Sequence, residues 1–93
     1  MISLQQEKTI RETVKKFEPS MVGIFGSYAR NEQNVSSDLD ILIDFKKSIN
    51  LLDLIGLEQE LTELLGIKVD LVTVRSLNQK LSPYIQKDLI RIV

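Results

Sequence analysis

At 93 residues, 43% hydrophobic and 27% charged, the chain has the size and composition of one globular domain, residues 1–93. A net charge of −1 supplies no basic field, so direct nucleic-acid binding through the phosphates is not expected. With no Cys and no His, disulfides, thiolate or imidazole metal sites and a His general base are excluded, and any metal chemistry must use Asp and Glu oxygens. The first residues lack the charged-then-apolar build of a signal peptide, and no apolar run approaches a membrane span. A cytoplasmic protein with no membrane contact is expected.

Ser3 and Gln6 form a capping-box pair. They predict a helix over residues 4–17, with Ile10, Val14 and Phe17 along one side. Glu18-Pro19-Ser20 ends it. Residues 21–25 are an apolar run of strand length, broken by Gly26-Ser27. Residues 27–30 then read as the first turn of a short helix, with Asn31 placed to close it in the left-handed region. A polar loop, 32–37, leads to a strand over 38–45. Period-2 alternation puts Leu39, Ile41, Ile43 and Phe45 on one face, and Asp38, Asp40, Leu42 and Asp44 on the other.

Asn50 with Asp53 predicts the cap of a helix over 51–65. Its apolar stripe is Leu51, Leu54, Ile55, Leu61 and Leu65, widened by Leu52, Leu57 and Leu64, and Gly66 stops it. Residues 67–74 form a third strand, with Ile67, Val69, Leu71 and Thr73 on one face and Lys68, Asp70, Val72 and Val74 on the other. Residues 75–80 are loop or one loose turn. Ser82 as cap and Pro83 at the first helical position predict a helix over 84–89. Residues 90–93 fit either its continuation or a short edge strand. The element order predicts an α/β (α+β) fold: a small mixed sheet with helices packed mainly on the Leu39/Ile41/Ile43 face. The opposite face carries Asp38, Asp40 and Asp70 as one wall of a cleft.

Two carboxylates on one strand face repel each other unless a cation lies between them, and hard oxygen ligands suit Mg²⁺. A Gly-Ser turn that opens a helix offers backbone N–H groups and a hydroxyl to phosphate. Alone, each feature has a plainer reading: a solvated Asp-x-Asp, a simple turn, an exposed Asp70, a helix-end cation at Arg30, a strand cap at Ser37. Their company within one hairpin-sized unit suggests a nucleoside triphosphate site. Asp44 is expected at the far end of its strand, outside that site.

Gly26-Ser27-Tyr28-Ala29-Arg30, a polar spacer, Ser37-Asp38-Leu39-Asp40 and the later Asp70 together resemble the signature of the polymerase-β-type nucleotidyltransferases. The chain resembles their minimal members, the MNT proteins, over nearly its whole length. Asn31 departs from the glycine usual there. The resemblance implies a polymerase-β-like core with Asp38, Asp40 and Asp70 as catalytic, metal-holding residues, Asp70 also orienting or deprotonating the acceptor. It implies nucleotide binding through Gly26, Ser27, Arg30 and Ser37, although Arg30 could equally support the turn and Ser37 fits a structural role. A two-ion Mg²⁺ site, ATP or another NTP as substrate, and transfer of a nucleoside monophosphate to a hydroxyl follow from the same resemblance.

A 93-residue chain leaves little room for a separate acceptor domain, so the acceptor is expected on a partner. MNT proteins pair with helical HEPN ribonuclease toxins and adenylylate them on tyrosine, an antitoxin activity. The competing reading is a non-catalytic nucleotide-binding antitoxin that neutralises its partner by covering it. A homo-oligomer is also possible. The chain carries more apolar residues than one sheet face can cover. The interaction surface is therefore expected on Leu77, Leu81, Tyr84, Ile85, Leu89, Ile90, Ile92 and Val93, or on the outer side of helix 51–65.

Overall fold

Ser3 opens the first helix as the sequence predicts. Its Oγ accepts from the Gln6 N–H (3.1 Å) while Gln6 Oε1 accepts from the Ser3 N–H (2.7 Å). The computed structural model describes residues 2–77 and 82–93. Helix α1 (Leu4–Val14) runs into a 3₁₀ turn, Lys15–Phe17, and Glu18 ends it in the left-handed region at φ 50°. Strand β1 (Pro19–Phe25) starts two residues earlier than expected. A proline is tolerated there because the first residue of a strand need not donate to the ladder.

The sheet is mixed, in the order β3-β2-β1-β4, with β2 at Leu39–Phe45, β3 at Val69–Thr73 and β4 at Ile90–Arg91. β1 is antiparallel to both β2 and β4, and β2 is parallel to β3. Residues 90–91 therefore take the strand alternative, and beyond them the Ile92 and Val93 N–H groups donate to the Val22 carbonyl. The core forms on the face the alternation assigns to it. Ile10 and Val14 of α1 meet Val22, Ile24, Leu39, Ile41, Ile43, Phe45, Val69 and Leu71 of the sheet. Phe17 packs edge-to-face on Phe45, centroids 6.2 Å apart.

Helix α2 (Leu51–Leu65) has the expected bounds. The Asp53 N–H donates to Asn50 Oδ1 (2.8 Å), and Gly66 closes the helix at φ 67°. Its buried side keeps Leu54, Leu61 and Leu65 of the expected stripe and loses Leu51 and Ile55. Leu57 and Leu61 are buried and Leu54 and Leu65 partly so, whereas Leu51, Leu52, Ile55 and Leu64 are exposed. The reason lies at the edge of the sheet. β3 is an edge strand, so its outward N–H groups have no strand partner. α2 supplies acceptors: Glu58 Oε2 takes the Leu71 N–H (2.8 Å) and Thr62 Oγ1 takes the Val69 N–H (3.0 Å). Facing Glu58 and Thr62 towards β3 rotates Leu51, Leu52 and Ile55 outwards.

The third strand is shorter than the 67–74 expected. Val74–Ser76 turns away as a 3₁₀ turn, held by the Ser76 hydroxyl donating to the Thr73 carbonyl (2.9 Å). Nor is the second sheet face bare. Helix α3 (Ser82–Asp88) packs there, and the following Leu89 lies so close over Gly23 that a Cβ would collide with it. Leu42, expected to line a cleft, is buried, only 2% exposed. The carboxylates are thus confined to one end of that face. In the C-terminal segment Tyr84, Ile90 and Val93 are exposed, while Leu81 lies outside the described residues.

Candidate active site

The site begins where β1 ends. Gly26 has φ 75°, which favours glycine. The Arg30 N–H returns to the Gly26 carbonyl (3.1 Å), the Glu32 N–H to Ser27 (2.8 Å) and the Asn31 N–H to Tyr28 (3.4 Å). Asn31 closes the turn at φ 59°, as expected for the residue that replaces the family's glycine. The short helix expected at 27–30 is instead a single tight turn, because left-handed residues bound it on both sides. Gly26 is needed a second time for space: a Cβ there would collide with Asp40 Oδ2. The turn backbone therefore lies directly against the Asp40 carboxylate.

Asp40 is paired in register with Phe25 of β1 on one side and with Asp70 of β3 on the other. Asp38 stands just before β2 rather than on it. Asp70 is exposed, Asp38 half-exposed and Asp40 partly buried. The Asp40 carboxyl is held above its ordinary range, first by burial, then by the charges of Asp70 and Asp38, with Arg30 pulling the other way. Lys68 Nζ lies 4.0 Å from Asp38 Oδ2, an exposed pair that contributes little. Asp44 sits two rows further down β2, opposite Met21, away from the site as expected.

These residues fit a divalent cation by charge and chemistry. Three hard oxygen donors converge on one end of the sheet, and the repulsion recorded at Asp40 is what a bound cation relieves. Among the described residues no three carboxylates close on a single metal position as the side chains stand. The exposure of Asp70 and Asp38 leaves both side chains free to rotate inward.

Arg30 Nη1 donates to Asp88 Oδ2 of α3 (2.6 Å) and its Nε to Glu32 Oε2 (3.2 Å). Ser37 is used by its loop: its Oγ accepts from the Asn34 N–H and its own N–H donates to the Asn34 carbonyl, both 3.0 Å. That hairpin of bonds fixes the chain just ahead of Asp38. Sequence reasoning missed Asp88 and Glu32. The one signal at Asp88 is an acidic residue in the last turn of a helix, where the backbone dipole disfavours it.

The Gly26 turn thus lies against Asp40, and Asp40 beside Asp70 of the neighbouring strand. Residues 7–92 match the nucleotidyltransferase domain family. The chain is 36% identical over 95 residues to the protein adenylyltransferase MntA of Thermococcus cleftensis, covering 97% of this chain and 96% of that one. Among solved structures, it superposes on a chain of a toxin–antitoxin complex with AMP-PNP (TM-score 0.85, 25% identity, 94% of this chain and 72% of that one). It shares its fold with a chain from a complex of a tri-AMPylated Shewanella oneidensis HEPN toxin with an MNT antitoxin (TM-score 0.78, 22% identity, 96% and 70%). The chain belongs to the nucleotidyltransferase family, among its minimal MNT members, and is an enzyme of the protein-adenylyltransferase type. Among the described residues no helix is long and apolar enough to cross a membrane.

Proposed function

We propose that this chain, acting as a single domain of residues 1–93 in the cytoplasm, transfers AMP from Mg-ATP to a hydroxyl of a protein partner. The observation that carries this reading is the pairing of Asp40 with Asp70 in parallel register, hard against the Gly26 turn. In this reading Asp38, Asp40 and Asp70 hold Mg²⁺, which when bound offsets triphosphate charge and lowers the pKa of an attacking hydroxyl. The Gly26-Ser27 turn and Arg30 face the phosphates, and Ser37 keeps the loop that carries Asp38 in place. Asp70, the most exposed of the three, orients the acceptor hydroxyl and takes its proton. The acceptor oxygen bonds to the α-phosphorus, the α–β bridging P–O bond breaks, and pyrophosphate leaves.

The AMP-PNP complex of one neighbour, the AMPylated HEPN toxin of another and the adenylyltransferase name of MntA support ATP as the donor and a HEPN toxin as the partner; tyrosine as the acceptor follows from the family resemblance. The exposed Leu51, Leu52 and Ile55 of α2 support a protein-facing surface, for that partner or for a second copy. The test is a calorimetric titration with Mg-ATP, in which wild type binds and Asp38→Ala and Asp40→Ala do not. Wild-type affinity in both variants would remove the carboxylates from the site. Neutralisation of a HEPN partner with no label transferred from α-phosphate-labelled ATP would favour the binding-only antitoxin.

A further inference from the structure

We infer that Asp88 is a positioning residue for nucleotide binding: it holds the Arg30 guanidinium at the rim of the carboxylate row so that its remaining N–H groups face a triphosphate oxygen. The inference rests on the nucleotidyltransferase reading above and adds a residue to it.

Asp88 ends α3, 58 residues beyond Arg30 in sequence, yet the two share a 2.6 Å charge-assisted hydrogen bond. The Asp88 side chain is 22% exposed and that of Arg30 43%, close to the Arg11–Glu7 pair, so the bond positions the guanidinium more than it stabilises the fold. An acidic residue in the last helical turn is opposed by the helix dipole, and its position is explained by the cation it meets. Arg30 is also close enough to Asp40 to pull its carboxyl downward. The Arg30 backbone N–H bonds the Gly26 carbonyl, and Gly26 lies against the Asp40 carboxylate, so Arg30 stands on the turn beside the carboxylate row.

The geometry of the guanidinium decides what it can still do. It carries five N–H donors in a planar fork. Asp88 takes one from Nη1 and Glu32 takes the Nε–H. Among the described residues, two N–H groups on Nη2 and one on Nη1 are unused and can meet a phosphate. Unrestrained, a long arginine side chain gives up much rotamer freedom on binding. Anchored at both ends, its backbone N–H on Gly26 and its fork on Asp88, Arg30 has lost that freedom before the ligand arrives. Glu32, 65% exposed and bonded at 3.2 Å, is the weaker of the two anchors.

The experiment is a double-mutant cycle on Mg-ATP affinity, measured by calorimetry, with transfer rates alongside. Asp88→Asn should weaken Mg-ATP binding and raise KM by about tenfold while kcat changes little. Asp88→Glu should restore most of the affinity. In an Arg30→Gln background Asp88→Asn should add nothing, because it acts through Arg30. If the two single effects instead multiply, or if Asp88→Asn binds as wild type does, the inference is wrong and the nucleotidyltransferase reading stands. If wild type itself binds no Mg-ATP, the reading fails and takes the inference with it.

Discussion

Asp40 and Asp70 stand side by side on neighbouring parallel strands, in register, with nothing but β-ladder between their backbones. A folded chain gains no stability from placing two carboxylates there. Asp40 shows the cost, since burial and then the Asp70 and Asp38 charges push its carboxyl upward. A bound cation would relieve that repulsion, as the proposed Mg²⁺ role requires.

The first consequence is a pH dependence. A carboxyl raised in the folded state binds its proton more tightly there than in the unfolded chain. Stability of the metal-free protein should therefore fall as pH rises from the ordinary Asp range through the raised value of Asp40. Asp40→Asn removes that penalty. Its melting temperature at neutral pH should exceed that of wild type, the gain reduced by solvent screening, although transfer is lost. A melting curve showing Asp40→Asn less stable than wild type at neutral pH, without added metal, would contradict this.

Asp70 should separate binding from chemistry. Asp70→Asn should slow single-turnover transfer by roughly a hundredfold or more, the scale for loss of a general base. Mg-ATP affinity should drop less than in Asp38→Ala. Equal loss of affinity in both variants would make Asp70 a metal ligand and nothing more.

Gly26 has two separate requirements, and a pair of variants tells them apart. Gly26→Ala puts a Cβ into the Asp40 carboxylate and strains a backbone at φ 75°, at a cost of about 1–3 kcal/mol for the backbone alone. Adding Asp40→Ala should recover the steric part of the loss and leave the strain. Full recovery of the melting temperature in the double variant would show that the left-handed conformation costs nothing here.

The β3 edge gives a prediction away from the site. Glu58→Ala leaves the Leu71 N–H without its acceptor, at a cost of roughly 1–3 kcal/mol, and bares an edge strand. Glu58→Gln keeps a carbonyl and should cost much less. Hydrogen exchange at Leu71 reads this directly: acceleration in Glu58→Ala and little change in Glu58→Gln.

Much of this was legible in the residues. Alternation from Leu39 to Phe45 assigned the core and carboxylate faces because a strand has one period and β2 is central. Capping by Ser3, Asn50 and Gly66 placed the helix ends because caps are local chemistry. What failed depended on partners distant in the chain. Leucines surround α2, so periodicity could not say which side faces inward, and the choice fell to Glu58 and Thr62 meeting the N–H groups of β3. Alternation puts Leu42 on the carboxylate face, and nothing near it in sequence announces that Leu89 will settle over Gly23. Asp88 is hidden for the same reason: its partner, Arg30, is 58 residues away in the chain.

In the proposed reaction AMP passes through the Asp38–Asp40–Asp70 row to a hydroxyl on a protein. The most direct measurement is the intact mass of a HEPN partner incubated with this chain, ATP and Mg²⁺. The partner should gain one or more AMP masses, located to tyrosine on fragmentation, with wild type and not with Asp40→Asn. An unmodified partner with the wild-type chain, or modification that persists with Asp40→Asn, would contradict the account.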